Sequence, residues 1–301
     1  CCFLIWMFDF SFFNFCIFVS PFYFISKFEP IIFCLFLILI LGISHGALDD
    51  IKGKKLSKLF GYKSSFSFYL TYILISLLII ICWLIFPNVI LLLFLIVASY
   101  HFGKEDTVFS FKRKYWIPEC LFFFKGSAVI IAPLLFQKDK TNEIFRTLNV
   151  NIFESQIFTD QFLIILLSLS FLSSLYISNK KTADLKGLMV MDFFSLIILN
   201  FFLTPILAFT LYFCFLHSIR HSITLIFELD KSFKSGLRKF VNKAIPLTFI
   251  TGIIFLIAVY LLNNFFMLDE AIYKVIFIGL AALTFPHILL EYLLEKNEKK
   301  S

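Results

Sequence analysis

Charged residues are scarce in this sequence of 301 residues. Only 16% are Asp, Glu, Lys or Arg, whereas 60% are hydrophobic and 20% are aromatic. Soluble domains contain about 25% charged residues, so this chain cannot cover itself with a polar surface. The mean hydropathy of +0.93 excludes a cytosolic enzyme, a secreted disulfide scaffold and a disordered tail.

Sequence patterns of several common sites are also missing. The seven cysteines form no C-x-x-C pair, which indicates neither a thiolate metal site nor a disulfide framework. The ten glycines form no G-x-G-x-x-G motif, so we expect no nicotinamide or flavin site of that type. The net charge of +7 is spread over short loops, and we therefore expect no binding of nucleic acid.

Apolar runs make up most of the chain. About 20 such residues form a helix that crosses the ~30 Å hydrocarbon core of a bilayer, and helices satisfy their own backbone hydrogen bonds there. The pattern predicts an all-α, polytopic transmembrane helical bundle with residues 1–301 as a single domain. The seventh and eighth runs are separated only by a turn at Pro205, so the count is nine or ten. The predicted spans are residues 3–26, 30–49, 66–86, 88–105, 117–136, 158–178, 187–203, 205–225, 245–266 and 271–292.

Basic residues concentrate in the loops on one side of these spans. By the positive-inside rule this side is cytoplasmic, and both termini are cytoplasmic if the count is ten. We expect a multi-pass protein of the cell (inner) membrane. The opposite side keeps chiefly Lys27 and the longer loop 137–157. The basic stretches on the cytoplasmic side lie within residues 50–65, 112–114, 180–186, 231–243 and 296–300.

All five histidines fall near the cytoplasmic ends of four different spans. They are His45, His101, His217, His221 and His287. Their common depth predicts that they converge. His217 and His221 are spaced i, i+4 and project from one helix face about 6 Å apart. Together the imidazoles predict a site of three or four histidines that suits Fe, Zn or Cu better than Mg or Ca.

Other polar groups accompany the histidines. Asp49, Glu105 and Glu291 each follow a histidine by four residues and could orient its second ring nitrogen, whereas Asp106 would lie farther round an ideal helix. Gly46 and Gly103 follow two of the histidines closely, which would permit close helix approach. Ionisable residues inside spans are functional candidates because they are costly in hydrocarbon. Asp9, Glu119, Lys125 and Asp192 are of this kind, and we expect Asp192 to reach the site.

Four motifs occur in the order typical of one protein family. They are H-G-x-x-D at 45–49, H-F-G-x-x-D at 101–106, H-x-x-R-H at 217–221 and P-H-x-L at 286–289. With these motifs the chain resembles the Brp/Blh family of membrane-bound beta-carotene 15,15'-dioxygenases over most of its length. One departure is Ser44, where the family commonly has proline before the first histidine.

The resemblance implies the chemistry and its ligands. It implies an enzyme, a non-haem iron carotenoid dioxygenase, that uses Fe(II) and O2 to cleave the central 15,15' double bond of beta-carotene, or of a related carotenoid, into two retinal molecules. The implied ligands and catalytic residues are His45, His101, His217 and His221. The residues expected to orient or tune them are Asp49, Asp106, Arg220, His287 and Glu291. A lipid-soluble substrate would reach such a site from the bilayer, in the cytoplasmic leaflet.

Two other functions compete with this one. A b-type haem protein would use paired axial histidines, but H-x-x-x-H spacing suits one shared ion better than two haem faces. A proton-coupled transporter would relay protons through the histidines and Asp192, but the sequence shows neither inverted repeats nor paired broken helices. Both alternatives remain open from the sequence alone.

Overall fold

The computed structural model describes residues 2–26, 30–61, 66–108, 117–180 and 187–298. Inside these ranges a few side chains, that of His45 among them, lie outside the description. The described residues form helices joined by short turns and contain no β-strand. This confirms the predicted all-α architecture.

Thirteen α-helices make up the described part of the chain, and four shorter helical segments connect or extend them. The α-helices are α1 (Cys2–Ser26), α2 (Ile31–Leu37), α3 (Asp49–Leu59), α4 (Phe66–Ile85), α5 (Pro87–Val108), α6 (Glu119–Phe136), α7 (Lys138–Thr147), α8 (Asp160–Asn179), α9 (Leu188–Phe202), α10 (Pro205–Leu211), α11 (Arg220–Leu229), α12 (Phe233–Leu262) and α13 (Leu268–Glu298). The shorter segments are π-helical at Ile38–Gly42 and Tyr212–Ile219, and 3₁₀-helical at Ile43–Leu48 and Ile152–Glu154.

The apolar segments of the structure match the ten predicted spans. Eight helical segments in the described residues are long and apolar enough to cross a membrane. The second and seventh predicted spans correspond to two shorter apolar helices, Ile31–Gly42 and Leu188–Phe202. The prediction of a polytopic helical bundle is therefore confirmed, whereas the predicted nine or ten spans compare with eight helical segments of spanning length among the described residues.

Two short helices occupy segments that we expected to be loops. Helix α3 carries the lysines of the 50–65 region, and α7 lies within 137–157. Helix α7 buries one face through Thr141, Ile144 and Phe145. Both helices are polar on average and contain only 11 and 10 residues, so a search for long apolar runs cannot detect them.

The bundle has two distinct ends. At one end, the Asn88 side chain at the start of α5 accepts hydrogen bonds from the backbone amides of Asn151 (3.0 Å) and Ile152 (3.1 Å). At the same end, Lys138 of α7 pairs with Asp160 at the start of α8 at 2.6 Å. Helix α5 then runs through the bundle to its other end, where it carries His101. The segment around α7 and the histidines therefore lie at opposite ends of α5.

The backbones of α5 and α6 are in direct contact near His101. A Cβ atom on Gly103 would lie 1.7 Å from the carbonyl oxygen of Phe122, and one on Gly126 would lie 1.9 Å from that of Ser99. Gly103 thus permits the close helix approach that the sequence suggested. Gly46 does not, because the nearest atom to its Cβ position is Asp49 Oδ2 at 3.8 Å.

Candidate metal centre

Irregular helical segments carry two of the histidines and directly precede a third. His45 lies in the 3₁₀ segment after the first π-helical turn, while His217 lies in the second π-helical segment and His221 follows at the start of α11. The two π segments touch, since a Cβ on Gly42 would lie 2.5 Å from the ring of Phe213. π-Helical turns are rare and often occur at functional sites, and here they redirect the chain beside the histidines.

Four imidazoles come together at this end of the bundle. The His101 ring centre is 5.2 Å from that of His217 and 5.3 Å from that of His287. His217 and His221 stack almost in parallel, at 6.5 Å and 8°. His101, His217 and His287 are each at most 6% exposed. The expected convergence is therefore found for the four histidines whose side chains are described, and the side chain of His45 lies outside the described residues.

A carboxylate holds the Nδ1 atom of three of these rings. His217 Nδ1 lies 2.9 Å from Asp106 Oδ1, and His221 Nδ1 lies 3.1 Å from Glu105 Oε2. His287 Nδ1 lies 2.9 Å from both oxygens of Asp49. An ionised carboxylate only accepts hydrogen bonds, so Nδ1 of each ring donates. In a neutral ring the lone pair then lies on Nε2. A histidine in this tautomer can bind a metal through Nε2.

The carboxylates pair across helices rather than along them. From the i, i+4 spacing we expected Glu105 to orient the histidine of its own helix, but Glu105 contacts His221. Asp106, which the ideal helix turns away from His101, contacts His217 instead. Glu291 does approach His287 of its own helix, with Oε1 3.9 Å from Nε2. The motifs thus identify the carboxylates, whereas their partners depend on how the helices pack.

His287 has the same arrangement as His217 and His221. We expected it to tune the ligands from outside, yet it is 5% exposed and lies beside His101. Ligand atoms of His101, His287 and Glu291 all lie within 4.8 Å of one another. This spacing would allow the three side chains to share one ion, so His287 and Glu291 are ligand candidates as well.

Two tyrosines support the carboxylates, and the sequence did not single them out for this. The Tyr212 hydroxyl donates to Asp106 Oδ2 at 2.5 Å, and the Tyr72 hydroxyl donates to Asp49 Oδ2 at 3.0 Å. Both tyrosines lie in apolar spans, where nothing in the hydropathy marks them. A buried tyrosine hydroxyl normally finds a hydrogen-bond partner. That rule is the one signal by which the sequence could have pointed to these two tyrosines.

Helix α3 closes the site over the end of α13. Its Leu56 packs with Leu290 and Leu294 of α13, and Lys52 pairs with Glu291 at 2.6 Å. Burial disfavours the charge on Lys52, but the attraction of Glu291 and its hydrogen bond outweigh burial and raise the pKa of Lys52 above its ordinary value. Lys52 therefore remains a cation and holds Glu291 beside His287.

A buried ion cluster adjoins the histidines. Arg220 is 1% exposed and donates to both oxygens of Asp192, at 2.9 and 2.8 Å. The same guanidinium lies 2.9 Å from Asp9 Oδ2 of α1. Asp192 thus reaches the site region as expected, through the residue next to His221. Lys125, to which the sequence gave no role, lines a small cavity together with Asp106 and Asp192.

The donor set fits a transition metal. Several neutral imidazoles with oriented Nε2 atoms, supplemented by one carboxylate, suit Fe, Zn or Cu, whereas Mg and Ca prefer oxygen ligands throughout. The described cysteines do not enter the cluster. Carboxylates that hold the second nitrogen of the histidines are the usual support of such metal sites.

Known proteins match the segment of the chain that carries these histidines and carboxylates. A family model described as beta-carotene 15,15'-dioxygenase matches residues 36–295, a segment that contains all five histidines. A beta-carotene 15,15'-dioxygenase from uncultured marine bacterium 66A03 is 29% identical over 262 residues, which cover 84% of this chain and 90% of that protein. None of the solved structures matches the chain.

Proposed function

Because the chain belongs to the beta-carotene 15,15'-dioxygenase family, we propose that it cleaves the central double bond of beta-carotene, or of a related carotenoid, to give two molecules of retinal. The reaction adds one oxygen atom of O2 to each carbon of the broken bond. Both oxygen atoms enter the product, so no external electron donor is needed. The observation that carries the proposal is the buried cluster of carboxylate-held imidazoles inside an apolar helical bundle.

We propose Fe(II) as the cofactor, held by imidazoles of the cluster. The motif histidines His45, His101, His217 and His221 are the proposed ligands, and the described contacts add His287 as a further candidate. Bound Fe(II) would supply the capacity to activate O2 beside an alkene.

The protein's own residues prepare the site in two ways. Asp106, Glu105 and Asp49 hold three rings in one tautomer and one orientation. Aromatic side chains around His217 exclude water. The Phe102 ring lies edge-on to the His217 ring at 4.8 Å between ring centres, and the Phe213 ring stacks on the His217 ring at 5.9 Å. Exclusion of water protects a reactive site from side reactions.

The surface of the bundle suits a substrate that is dissolved in lipid. Large apolar side chains are exposed along α4 and α12, for example Leu84 at 73% and Phe249 at 67%. In water such a surface would be costly, but in a bilayer it is the normal outer face. We propose that the carotenoid enters laterally from the membrane and never crosses water.

Pigment analysis of carotene-producing cells tests the proposal. Cells that express the chain should lose beta-carotene and accumulate retinal, and the purified protein should contain iron. His217→Ala should abolish retinal formation and lower the iron content. Tyr260→Ala, at a 74% exposed site on α12, is the control and should leave both unchanged.

Two results would contradict the proposal. One is an undiminished retinal yield from His217→Ala at equal expression. The other is a Soret absorption band in the purified protein, which would instead indicate haem.

A further inference from the structure

Three side chains that could bind a cation follow one another along one face of α13. His287, Glu291 and Glu295 are spaced four residues apart, so each lies about 6 Å from the next on the same face of the helix. His287 is 5% exposed, whereas the side chains of Glu291 and Glu295 are 20% and 41% exposed. These three residues, the α13 stripe, therefore lead from the buried histidines to the surface of the protein.

The inner end of the α13 stripe reaches the candidate metal centre. Glu291 Oε1 lies 3.9 Å from His287 Nε2. Ligand atoms of His101, His287 and Glu291 all lie within 4.8 Å of one another. A cation at the Glu291 carboxylate can therefore reach the imidazoles without crossing a layer of apolar side chains.

A lysine pairs with each carboxylate of the α13 stripe. Lys52 of α3 lies 2.6 Å from Glu291 Oε1, and Lys104 of α5 lies 2.6 Å from Glu295 Oε2. A partly buried carboxylate is costly without a counter-ion, and the two ammonium groups supply that positive charge. Each lysine thus occupies the place that a divalent cation would take beside the same oxygen atoms.

Both lysines are suited to leave these places. The ammonium group of lysine lies at the end of a flexible four-carbon chain, and the side chains of Lys52 and Lys104 are both partly exposed. Lys104 also donates a hydrogen bond to the Tyr100 hydroxyl at 3.2 Å, which can hold the ammonium once it has left Glu295. An arriving cation repels the lysines and favours this movement.

A metal ion needs a polar route to the histidines. Even a single charge is costly in hydrocarbon, and a divalent ion with its bound water is more costly still. Carboxylate oxygens are ligands of divalent transition metals and can replace part of that bound water. The α13 stripe provides such oxygen atoms between the surface and the cluster.

Building on the proposed function, we infer that the α13 stripe is the route by which the divalent metal ion enters the histidine cluster from water. The ion binds first at Glu295, passes to Glu291 and then reaches the imidazoles. Lys104 and Lys52 close the route by pairing with its carboxylates, and they turn aside as the ion passes.

The kinetics of metal uptake by the full chain test the inference. The protein is purified in detergent, stripped with a chelator and mixed with Co²⁺, whose visible absorption reports binding to the imidazoles. Glu295→Gln should lower the rate constants of Co²⁺ uptake and of its release to a chelator by the same factor, at least about fivefold. The dissociation constant should change by less than about twofold, because Glu295 lies on the route and not at its end.

Lys104→Gln should have the opposite effect on the same two rate constants. Removal of the ammonium group opens the outer end of the route, so uptake and release should each become at least about threefold faster. General loosening of the fold would shift both variants in the same direction. Opposite shifts from the two sides of one ion pair are therefore specific to the route.

Glu228→Gln and Lys239→Gln are matched controls for the change in surface charge. Both residues are exposed and belong to α11 and α12, which pack at the histidine end against Leu48. Lys239 also forms an ion pair, with Asp230 at 2.6 Å. Both controls should keep the wild-type rate constants within about twofold, because exposed charges away from the route are screened by salt.

The outcomes separate the two proposals. If the wild-type protein binds no Co²⁺, the proposed metal centre and the route both fail. If it binds Co²⁺ but Glu295→Gln and Lys104→Gln keep the wild-type rate constants, the metal centre stands and the route is overturned. A weaker dissociation constant in Glu295→Gln without slower uptake also overturns the route. A rate constant does not depend on the fraction of protein that is folded, so a variant obtained in low yield still gives a decision.

Discussion

At the scale of single residues, the histidine cluster depends on carboxylates that come from other helices. Asp106 accepts hydrogen bonds from both His217 and Tyr212, so it fixes the ring orientation of His217 and is itself held in place. Mutation of such a supporting residue typically lowers metal affinity or activity by about 10–100-fold.

Asp106→Asn should therefore lower both iron content and the rate of retinal formation, each by about 10–100-fold. The amide has nearly the same shape, but it carries no charge and can present a donor instead of an acceptor to His217. Metal analysis of the purified variant, alongside chromatography of its products, measures the effect. Asp160→Asn, at an exposed ion pair with Lys138, should retain wild-type values. Full iron occupancy in Asp106→Asn would contradict the role given to Asp106.

Arg220 is a second single residue with a large effect, here on the stability of the fold. Its guanidinium is buried against Asp192 and Asp9, and removing one partner of a buried ion pair typically costs about 3–5 kcal/mol. Asp192→Ala should accordingly lower the thermal unfolding temperature in detergent markedly. Asp160→Ala breaks the exposed pair with Lys138 and should cost at most about 1 kcal/mol. Equal unfolding temperatures for these two variants would show that the buried cluster adds no stability.

The residue scale also shows how far the sequence predicts the site. The histidines could be identified in advance because each stands near the end of an apolar span, and depth along a helix is a local property. The carboxylate partners of the histidines could not be identified in advance, because the pairing of Asp49 with His287 joins residues 238 positions apart. That contact depends on the angle at which α3 crosses the end of α13.

At the scale of elements, α5 owes its position to two glycines. The backbones of α5 and α6 touch at Gly103 and Gly126, and His101 lies two residues before the first of them. Any side chain at this contact must push the helices apart, which moves His101 relative to His217 and His287.

Gly103→Ala should destabilise the protein by about 1–3 kcal/mol or more and reduce iron binding as well. Gly252→Ala in α12 is the matched control, because its Cβ would meet nothing within 4 Å. That substitution should be neutral or stabilising by about 0.5–1 kcal/mol. Thermal unfolding and iron content of the two variants are the measurements. A Gly103→Ala protein with wild-type stability would exclude close contact of the two backbones.

The elements that the sequence did not predict share one physical cause. Hydropathy detects long apolar runs, and among the described residues these correspond to eight helical segments of membrane-spanning length and two shorter apolar helices. Helices α3 and α7 are short and polar on one face, and the π-helical segments at 38–42 and 212–219 do not differ in composition from the α-helices around them. Their geometry depends on contacts between the two segments, such as that of Gly42 with Phe213.

At the scale of the whole molecule, the two ends of the bundle carry different groups. The histidines occupy one end, and α7 with the turns around Asn151 occupies the other. The lysines of α3 belong to the histidine end, because α3 packs there against α13. The positive-inside rule then predicts that the histidine end faces the cytoplasm.

Labelling of introduced cysteines tests this orientation. Ser155→Cys lies in an exposed turn at the α7 end, and Lys58→Cys lies on the exposed face of α3. In intact spheroplasts, a membrane-impermeant maleimide should label the cysteine at 155 and leave the one at 58 unlabelled until the membrane is permeabilised. The wild-type chain, with its own cysteines in apolar segments, gives the background to subtract. Labelling of 58 but not 155 in intact spheroplasts would reverse the orientation, and labelling of both would contradict the assignment of these residues to opposite ends of the bundle.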